Sequence, residues 1–518
     1  MFKKKLFFGI TAMLLSSLLI WAQPNMQPKK ITEKFFKDYE DLELITPAFK
    51  KKKGYTNYEE LISFLESYQE KYSDIFFISY LGNSQKGYNI PMVTIKKADN
   101  LNAIKVWLQG GLHGNESAST EGVLYLVAQI LDKRQDLLEN LEIKVVPMAN
   151  IDGYLKLNRY AANGLDLNRD QTKLIAPESI LLKNAFSQFS PQVAVDFHEY
   201  TPFRRDFASF GRVGISSFYD VMFLYTGNLN VPQNLRNYTK DVFVKNAGLT
   251  LDNYNFSHHP YVSTTKINGE IHFNKGSINS RSSATSFALT NTISTLVEVR
   301  GVRIGRSSFK RRTFVTYLVG LSYLETANAK PQEIRRQITQ ANETEKQIFI
   351  TSDRTVYSDS LQVIDLDQNE LVKIGVTFRD ALKATPQLIR KKPFAYIIKE
   401  GKQIIEKLKV LGIEVSSLAA SEIIDVEAYL IRDYYRVPKK YEKASLQRVS
   451  VNLVNKKITF EKGTSIIYTS QKNANLLYEV LEPEAPNSFV SWGILKTGLN
   501  EELPIYRIQN NLNLNHEK

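Results

Sequence analysis

The sequence predicts an α/β fold, a sheet covered by helices on both faces, followed by a smaller α+β domain. Three observations carry this. Apolar, β-rich runs at Ile104–Gln109, Ile143–Val146 and Val193–Phe197 alternate with helical patterns at Glu121–Leu131 and Ile180–Phe189. A fourth such run, Ile293–Val299, precedes the helix-like Thr313–Asn328, after which the chain turns polar and charged. Beyond that stretch, short strand-like runs surround a single helical pattern, a mixture that reads as α+β.

Taken in order, Met1–Ala22 opens with Lys3, Lys4 and Lys5, continues as the apolar run Leu6–Trp21 and ends on the small residue Ala22 before Gln23. That is the layout of a cleaved secretory signal, so the mature chain is expected to be exported, periplasmic or secreted, with no stable membrane insertion. Residues 23–57 form a lead-in. Tyr58–Tyr72 reads as an amphipathic helix with Leu61, Ile62, Phe64 and Leu65 on one side, and strand-like runs follow at Ile75–Tyr80 and Ile90–Ile95. The first domain is expected to span residues 58–329, a polar linker 330–346, and the smaller domain 347–518. In the last of these, strands are expected at Phe349–Thr351, Ala395–Ile398, Val449–Val454 and Ser465–Tyr468, with a helix at Lys402–Leu411.

Composition narrows the function. The 518 residues include no cysteine, which excludes disulfides, thiolate metal sites and cysteine nucleophiles. The formal charge of +13 falls to +10 once Lys3, Lys4 and Lys5 leave with the signal. The basic runs Lys50–Lys53 and Lys310–Arg312 lack the aromatic interleaving of a nucleic-acid module, so no nucleic-acid partner is expected and the runs read as solvated faces.

Chemistry gathers where strands end. Ile104–Gln109 runs into Gly110-Gly111-Leu112-His113-Gly114-Asn115-Glu116, and open α/β sheets present functional groups at the carboxyl ends of their strands. Hydrolytic zinc commonly takes three nitrogen or carboxylate ligands and keeps one position open. His113 and Glu116 supply two. Val193–Glu199 places His198 at a second strand end, while the four other histidines, His258 and His259 in a polar loop, His272 in a strand-like stretch and His516 in the tail, lack such context. A helical His-Glu-x-x-His motif is absent.

The loop carrying Asn150-Ile151-Asp152-Gly153, Arg159 and Asp166-Leu167-Asn168-Arg169 combines arginines and amides suited to an anionic substrate end, since guanidinium matches carboxylate in two-point bonding. Glu298 lies inside the apolar strand Ser294–Val299. Burying a carboxylate is expensive without a partner. A general base would account for it, because partial desolvation raises a carboxyl pKa toward neutrality; a salt bridge to Arg300 is the alternative.

In this order, His-x-x-Glu, Asn-x-Asp-Gly, Arg, Asp-Leu-Asn-Arg, a later His and a final Glu in a strand, the chain resembles the zinc carboxypeptidase family of the carboxypeptidase A/B type over roughly Tyr58–Asn328. The resemblance implies a mixed central sheet flanked by helices, one zinc ion on His113, Glu116 and His198, Glu298 as base, Arg159 stabilising the oxyanion, and Asn168 and Arg169 gripping the terminal carboxylate of a peptide substrate. It implies release of C-terminal residues; a zinc-dependent N-acyl amino acid deacylase and a non-catalytic peptide-binding relative are the alternatives. Two features depart from the pattern. Gly276–Ser286 contains no tyrosine, where digestive members carry one on a mobile loop. The C-terminal part, with Leu481-Glu482-Pro483-Glu484 and Leu503-Pro504-Ile505-Tyr506-Arg507, resembles the extension of certain bacterial exported members and is expected to serve packing.

Overall fold

The computed structural model describes residues 27–97, 100, 102–343, 346–511 and 516–517. The signal expected at Met1–Ala22 lies outside the described residues. Thirteen strands build two sheets: β1 (Phe76–Asn83), β2 (Asn89–Ile95), β3 (Ile104–Gln109), β4 (Leu141–Val146), β5 (Val193–Tyr200), β6 (Ile215–Ser217), β7 (Val221–Leu224), β8 (His258–Pro260), β9 (Val262–Ile267), β10 (Glu270–Lys275), β11 (Ile293–Arg300), β12 (Gln347–Asp365) and β13 (Glu370–Lys391). The larger sheet has the order β1-β2-β4-β3-β5-β11-β7-β8. Its centre is parallel, β4 with β3, β3 with β5 and β5 with β11, while β1, β2 and β7 join antiparallel, so it is mixed.

The central strands are apolar because both faces are covered. On one face lie α1 (Tyr58–Lys71), α2 (Ser117–Lys133) and the later α4 (Phe309–Ala329); on the other, α3 (Pro177–Phe189) sets Phe186 edge-on to Trp107 of β3 at 5.6 Å and stacked on Phe287 at 4.0 Å. Asn57 and Glu60 form a capping box that starts α1, satisfying backbone N–H groups that have no partner within the helix. The helices α2 and α4 cross at Gly122, where a Cβ would stand 2.3 Å from Thr316 Cβ, so only glycine permits this approach.

Residues 330–346 are not a plain linker. Pro331–Glu343 forms α5, with Pro331 at the first turn and Ile334 buried under it, so its charge reflects one solvated face of a docked helix. Nor does the part beyond 347 fold wholly apart. The strand expected at Phe349–Thr351 is the start of β12, which with β13 forms a long hairpin inside a five-stranded sheet of order β6-β12-β13-β10-β9. There β12 pairs with β6 at Val363–Ser217, and β13 runs parallel to β10 from His272–Thr377 to Lys275–Asp380. His258 and His259, expected in a loop, form β8 against β7.

The C-terminal domain holds β14 (Ala395–Ile398), β15 (Ser416–Leu418), β16 (Glu422–Arg436), β17 (Gln447–Phe460), β18 (Ser465–Tyr468), β19 (Glu502–Ile508) and β20 (His516–Glu517) in one sheet of order β17-β16-β19-β14-β18-β15-β20, with helices α6 (Lys402–Val410) and α7 (Ala474–Leu481). The Glu482 and Arg507 motifs meet in its interior. Glu482 accepts hydrogen bonds from Arg390 at 2.7 Å and Tyr396 Oη at 2.7 Å and pairs with Arg507 at 3.3 Å. A buried carboxylate so fully partnered holds α7 and β19 in one arrangement.

Candidate metal and catalytic site

The strand β3 delivers the chain to Gly110–Glu116, and this loop lies directly on the segment around residues 150–158. A Cβ on Gly114 would stand 2.1 Å from Gly153 C, so His113 and the Asn150–Gly153 turn are held together by a backbone approach that only glycine allows. Glu116 then stands at the N-cap position of α2 without capping it, its carboxylate free to face the site. The strand β5 brings His198 to the same place, and β11 sets Glu298 beside it, the two residues being direct partners in the parallel ladder.

Three side chains converge. His113 Nδ1 lies 2.8 Å from Glu116 Oε1, His198 Nδ1 lies 2.8 Å from Glu116 Oε2, and the two Nδ1 atoms are 3.0 Å apart. All three residues are buried. The far side of each ring meets a carboxylate: His113 Nε2 is 3.0 Å from Asp166 Oδ1, and His198 Nε2 is 2.9 Å from Asp196 Oδ2. Those partners assign the Nε2–H tautomer to both rings. The Nδ1 lone pairs then face one another and a carboxylate across a shared centre, an arrangement that repels itself unless a cation lies between. Two imidazoles, one carboxylate and an open side make a donor set that fits zinc. The field agrees: burial alone would lower the pKa of His198, but Asp196 and Glu116 raise it well above the ordinary value, so the surroundings call for positive charge. Burial opposes ionisation of Glu116, yet the His113 and His198 rings hold its carboxyl well below the usual range.

Glu298 is partly open to the adjoining cavity. Burial pushes its pKa up, Glu116 adds to that, and His198, His113 and Arg159 pull against it. Arg300 does not pair with it. Adjacent strand residues face opposite ways, and Arg300 donates to Gln27 Oε1 at 3.0 Å and Ser216 Oγ at 3.1 Å over the Phe36 ring.

Arg159 is fixed by Asp166, to which Nη2 and Nε donate at 2.8 and 3.0 Å, and it lies 3.5 Å from Glu116. One carboxylate thus orients both His113 and Arg159. Asn168 Oδ1 accepts from Ser283 N at 2.8 Å, and Arg169 Nη1 donates to the Asn168 carbonyl at 2.8 Å. His113, Glu116, Arg159, Asn168, Arg169 and Glu298 all line one cavity of about 920 Å³.

Sequence reasoning left four contributors without a role. Asp196 precedes His198 by two on a strand and so shares its face, a signal that was present. Asp166 sits within the quoted Asp-Leu-Asn-Arg, where it also caps the following turn. Arg281 and Arg354 line the cavity from distant segments. The C-terminal domain also reaches the site: Glu442 accepts a hydrogen bond from Asp166 N at 3.0 Å, and Arg281 lies over the Tyr441 ring at 5.0 Å. Tyr261, outside the tyrosine-free stretch, lines the cavity and accepts from Arg204 at 3.1 Å.

Comparison with known proteins adds relatives to this geometry. Residues 61–205 match the sequence profile described as zinc carboxypeptidase. The chain is similar to carboxypeptidase 2 of Trichophyton rubrum, 29% identical over 416 residues that cover 78% of this chain and 77% of that one. Over a shorter stretch it is similar to cytosolic carboxypeptidase 6 of Mus musculus, 34% identical over 124 residues, 22% of each chain. Among solved structures, a putative carboxypeptidase A from Shewanella denitrificans aligns over 54% of this chain and 70% of that one, with 18% identity and a TM-score of 0.42.

Proposed function

We infer that this chain, a member of the zinc carboxypeptidase family, is a metallocarboxypeptidase that releases C-terminal residues from peptides, with one zinc ion on His113, Glu116 and His198. The observation that carries the reading is the convergence of both Nδ1 atoms on the Glu116 carboxylate, with Glu298 at the neighbouring ladder position. Zinc in such a site supplies Lewis acidity toward a carbonyl and a water.

The rest of the chemistry belongs to the chain. Glu298, its pKa raised by burial, takes the proton from the attacking water and passes it to the nitrogen of the breaking C–N bond. The water oxygen becomes the second oxygen of the new carboxylate. Arg159, held in place by Asp166, donates to the oxyanion as the carbonyl turns tetrahedral. The Asn168 amide and the Arg169 guanidinium, which bonds no protein carboxylate among the described residues, receive the terminal carboxylate and so limit cleavage to the last peptide bond.

The protein is proposed to act outside the cytoplasm, on the layout of Met1–Ala22. Among the described residues no helix is long and apolar enough to cross a membrane.

The test is mass spectrometry of peptides incubated with the zinc-loaded and chelated protein. Zinc-dependent loss of single C-terminal residues is expected, and Glu298→Gln should lower kcat by about 100- to 10,000-fold with zinc still bound one to one. Hydrolysis of N-acetyl amino acids with peptides left intact would replace this reading by a deacylase.

A further inference from the structure

Glu298 on β11 lines the cavity. On that face of β11, two residues back, Leu296 pairs with Leu224 of β7, and together with Ala284 and Tyr261 they form a small apolar cluster. The same cavity is lined by Leu224 and Tyr261 of this cluster and by Gly276, Ser277 and, from β12, Arg354, with Gly276 N donating to the Tyr261 carbonyl at 3.0 Å. An apolar patch and a guanidinium thus share this cavity with the catalytic carboxylate.

Arg354 Nη1 donates to the Gly276 and Arg379 carbonyls at 3.4 Å each, and among the described residues no carboxylate bonds to it. The acidic neighbour Asp380 is already engaged by Tyr357 Oη at 3.0 Å and Leu382 N at 2.8 Å. A partly buried guanidinium with no carboxylate bonded to it is unfavourable. Burial, and then Arg379, lower its pKa against the pull of Asp380.

Building on the carboxypeptidase reading above, we propose that this pocket receives the side chain of the departing residue and that Arg354 makes the enzyme selective for C-terminal glutamate. The terminal α-carboxylate occupies Asn168 and Arg169. The methylenes of a glutamate side chain then lie along Leu224 and Tyr261, and its carboxylate supplies the anion that Arg354 lacks. Aspartate carries one methylene fewer and reaches less far. Arg354 is a specificity-determining residue; it touches neither the scissile bond nor the groups that move protons.

The test compares kcat/KM for blocked dipeptides ending in Glu, Gln, Leu and Lys, using the full zinc-loaded protein. Wild type is expected to favour Glu over its uncharged isostere Gln by about 10- to 100-fold, the contribution of one charge-assisted hydrogen bond. Arg354→Gln should remove that preference, chiefly through KM, with the Leu and Gln substrates unchanged, and Arg354→Lys should restore part of it. Calorimetric binding of free L-glutamate against L-leucine should follow the same order. Equal rates for Glu and Gln in wild type, or an equal fall for every substrate in Arg354→Gln, would overturn the role of Arg354. If the zinc-loaded protein releases no C-terminal residue at all, the carboxypeptidase reading itself fails, and this inference with it.

Discussion

Lys183→Met should raise stability at neutral pH and lose that advantage in alkali. Lys183 is buried on α3, its Nζ donating to Ser286 Oγ at 2.7 Å, 4.7 Å from the Phe287 ring centroid and 5.3 Å from that of Phe186. Burial pushes its pKa down from 10.5 to about 7, against the pull of Asp196. A depression of that size makes the charged form about 5 kcal/mol unfavourable, at ~1.4 kcal/mol per unit. Two ring faces offset about 2 kcal/mol of this, leaving ~3 kcal/mol. Methionine keeps the unbranched stem and gives up a hydrogen bond worth about 1 kcal/mol, so the variant gains ~2 kcal/mol near neutrality.

The folded pKa lies below the unfolded one, so between about 7 and 10.5 the unfolded chain holds more protons and wild-type stability rises with pH. The methionine variant lacks this rise. Urea unfolding followed by tryptophan fluorescence at about pH 7 and about pH 10 measures both effects, the variant unfolding later than wild type at the first and no later at the second. A lower midpoint for the variant at neutral pH, with the same pH slope as wild type, would refute the account.

Other perturbations test other parts of the structure. Asp196→Asn, which weakens the acceptor behind His198, should lower zinc affinity by about 10- to 100-fold in a chelator competition. Arg312→Met leaves the buried Glu199, now paired with it at 2.6 Å, without a counter-charge and should destabilise by about 3–5 kcal/mol in thermal or urea unfolding. Gly122→Val forces α2 away from Thr316 and should destabilise by at least about 1–3 kcal/mol, measured in the same way.

What the sequence made legible was local chemistry. His198 and Glu298 are visible because each stands in a strongly apolar strand, where a polar group calls for explanation, and His113 and Glu116 because they fall in the glycine-bearing loop that follows one. Asp196 has an equally regular spacing to His198, but one carboxylate in a strand carries no signal until its partner is known. Arg354 was out of reach. It belongs to a strand nearly sixty residues past Glu298 in the chain, and the pairing of β12 with β13, and of β13 with β10, carries it to the cavity. The alternation of Ile374, Val376 and Phe378 with polar neighbours does mark β13. In α5, Ile334, Ile338 and Ala341 recur at helical spacing, but charge elsewhere on the helix made it read as linker.

The hairpin of β12 and β13 also sets an order on synthesis. All the residues assigned to the chemistry have been made once Glu298 has emerged, yet β6 and β10 then still present unpaired edges, because their partners lie at residues 363–365 and 377–380. Until those arrive, a nascent chain carries two templates for strand addition by other chains. Pausing of synthesis or delivery just after residue 329 should therefore be the most hazardous moment in this protein's life. The finished hairpin fills the gap between β6 and β10 in one step, so that these two strands gain their missing partners together.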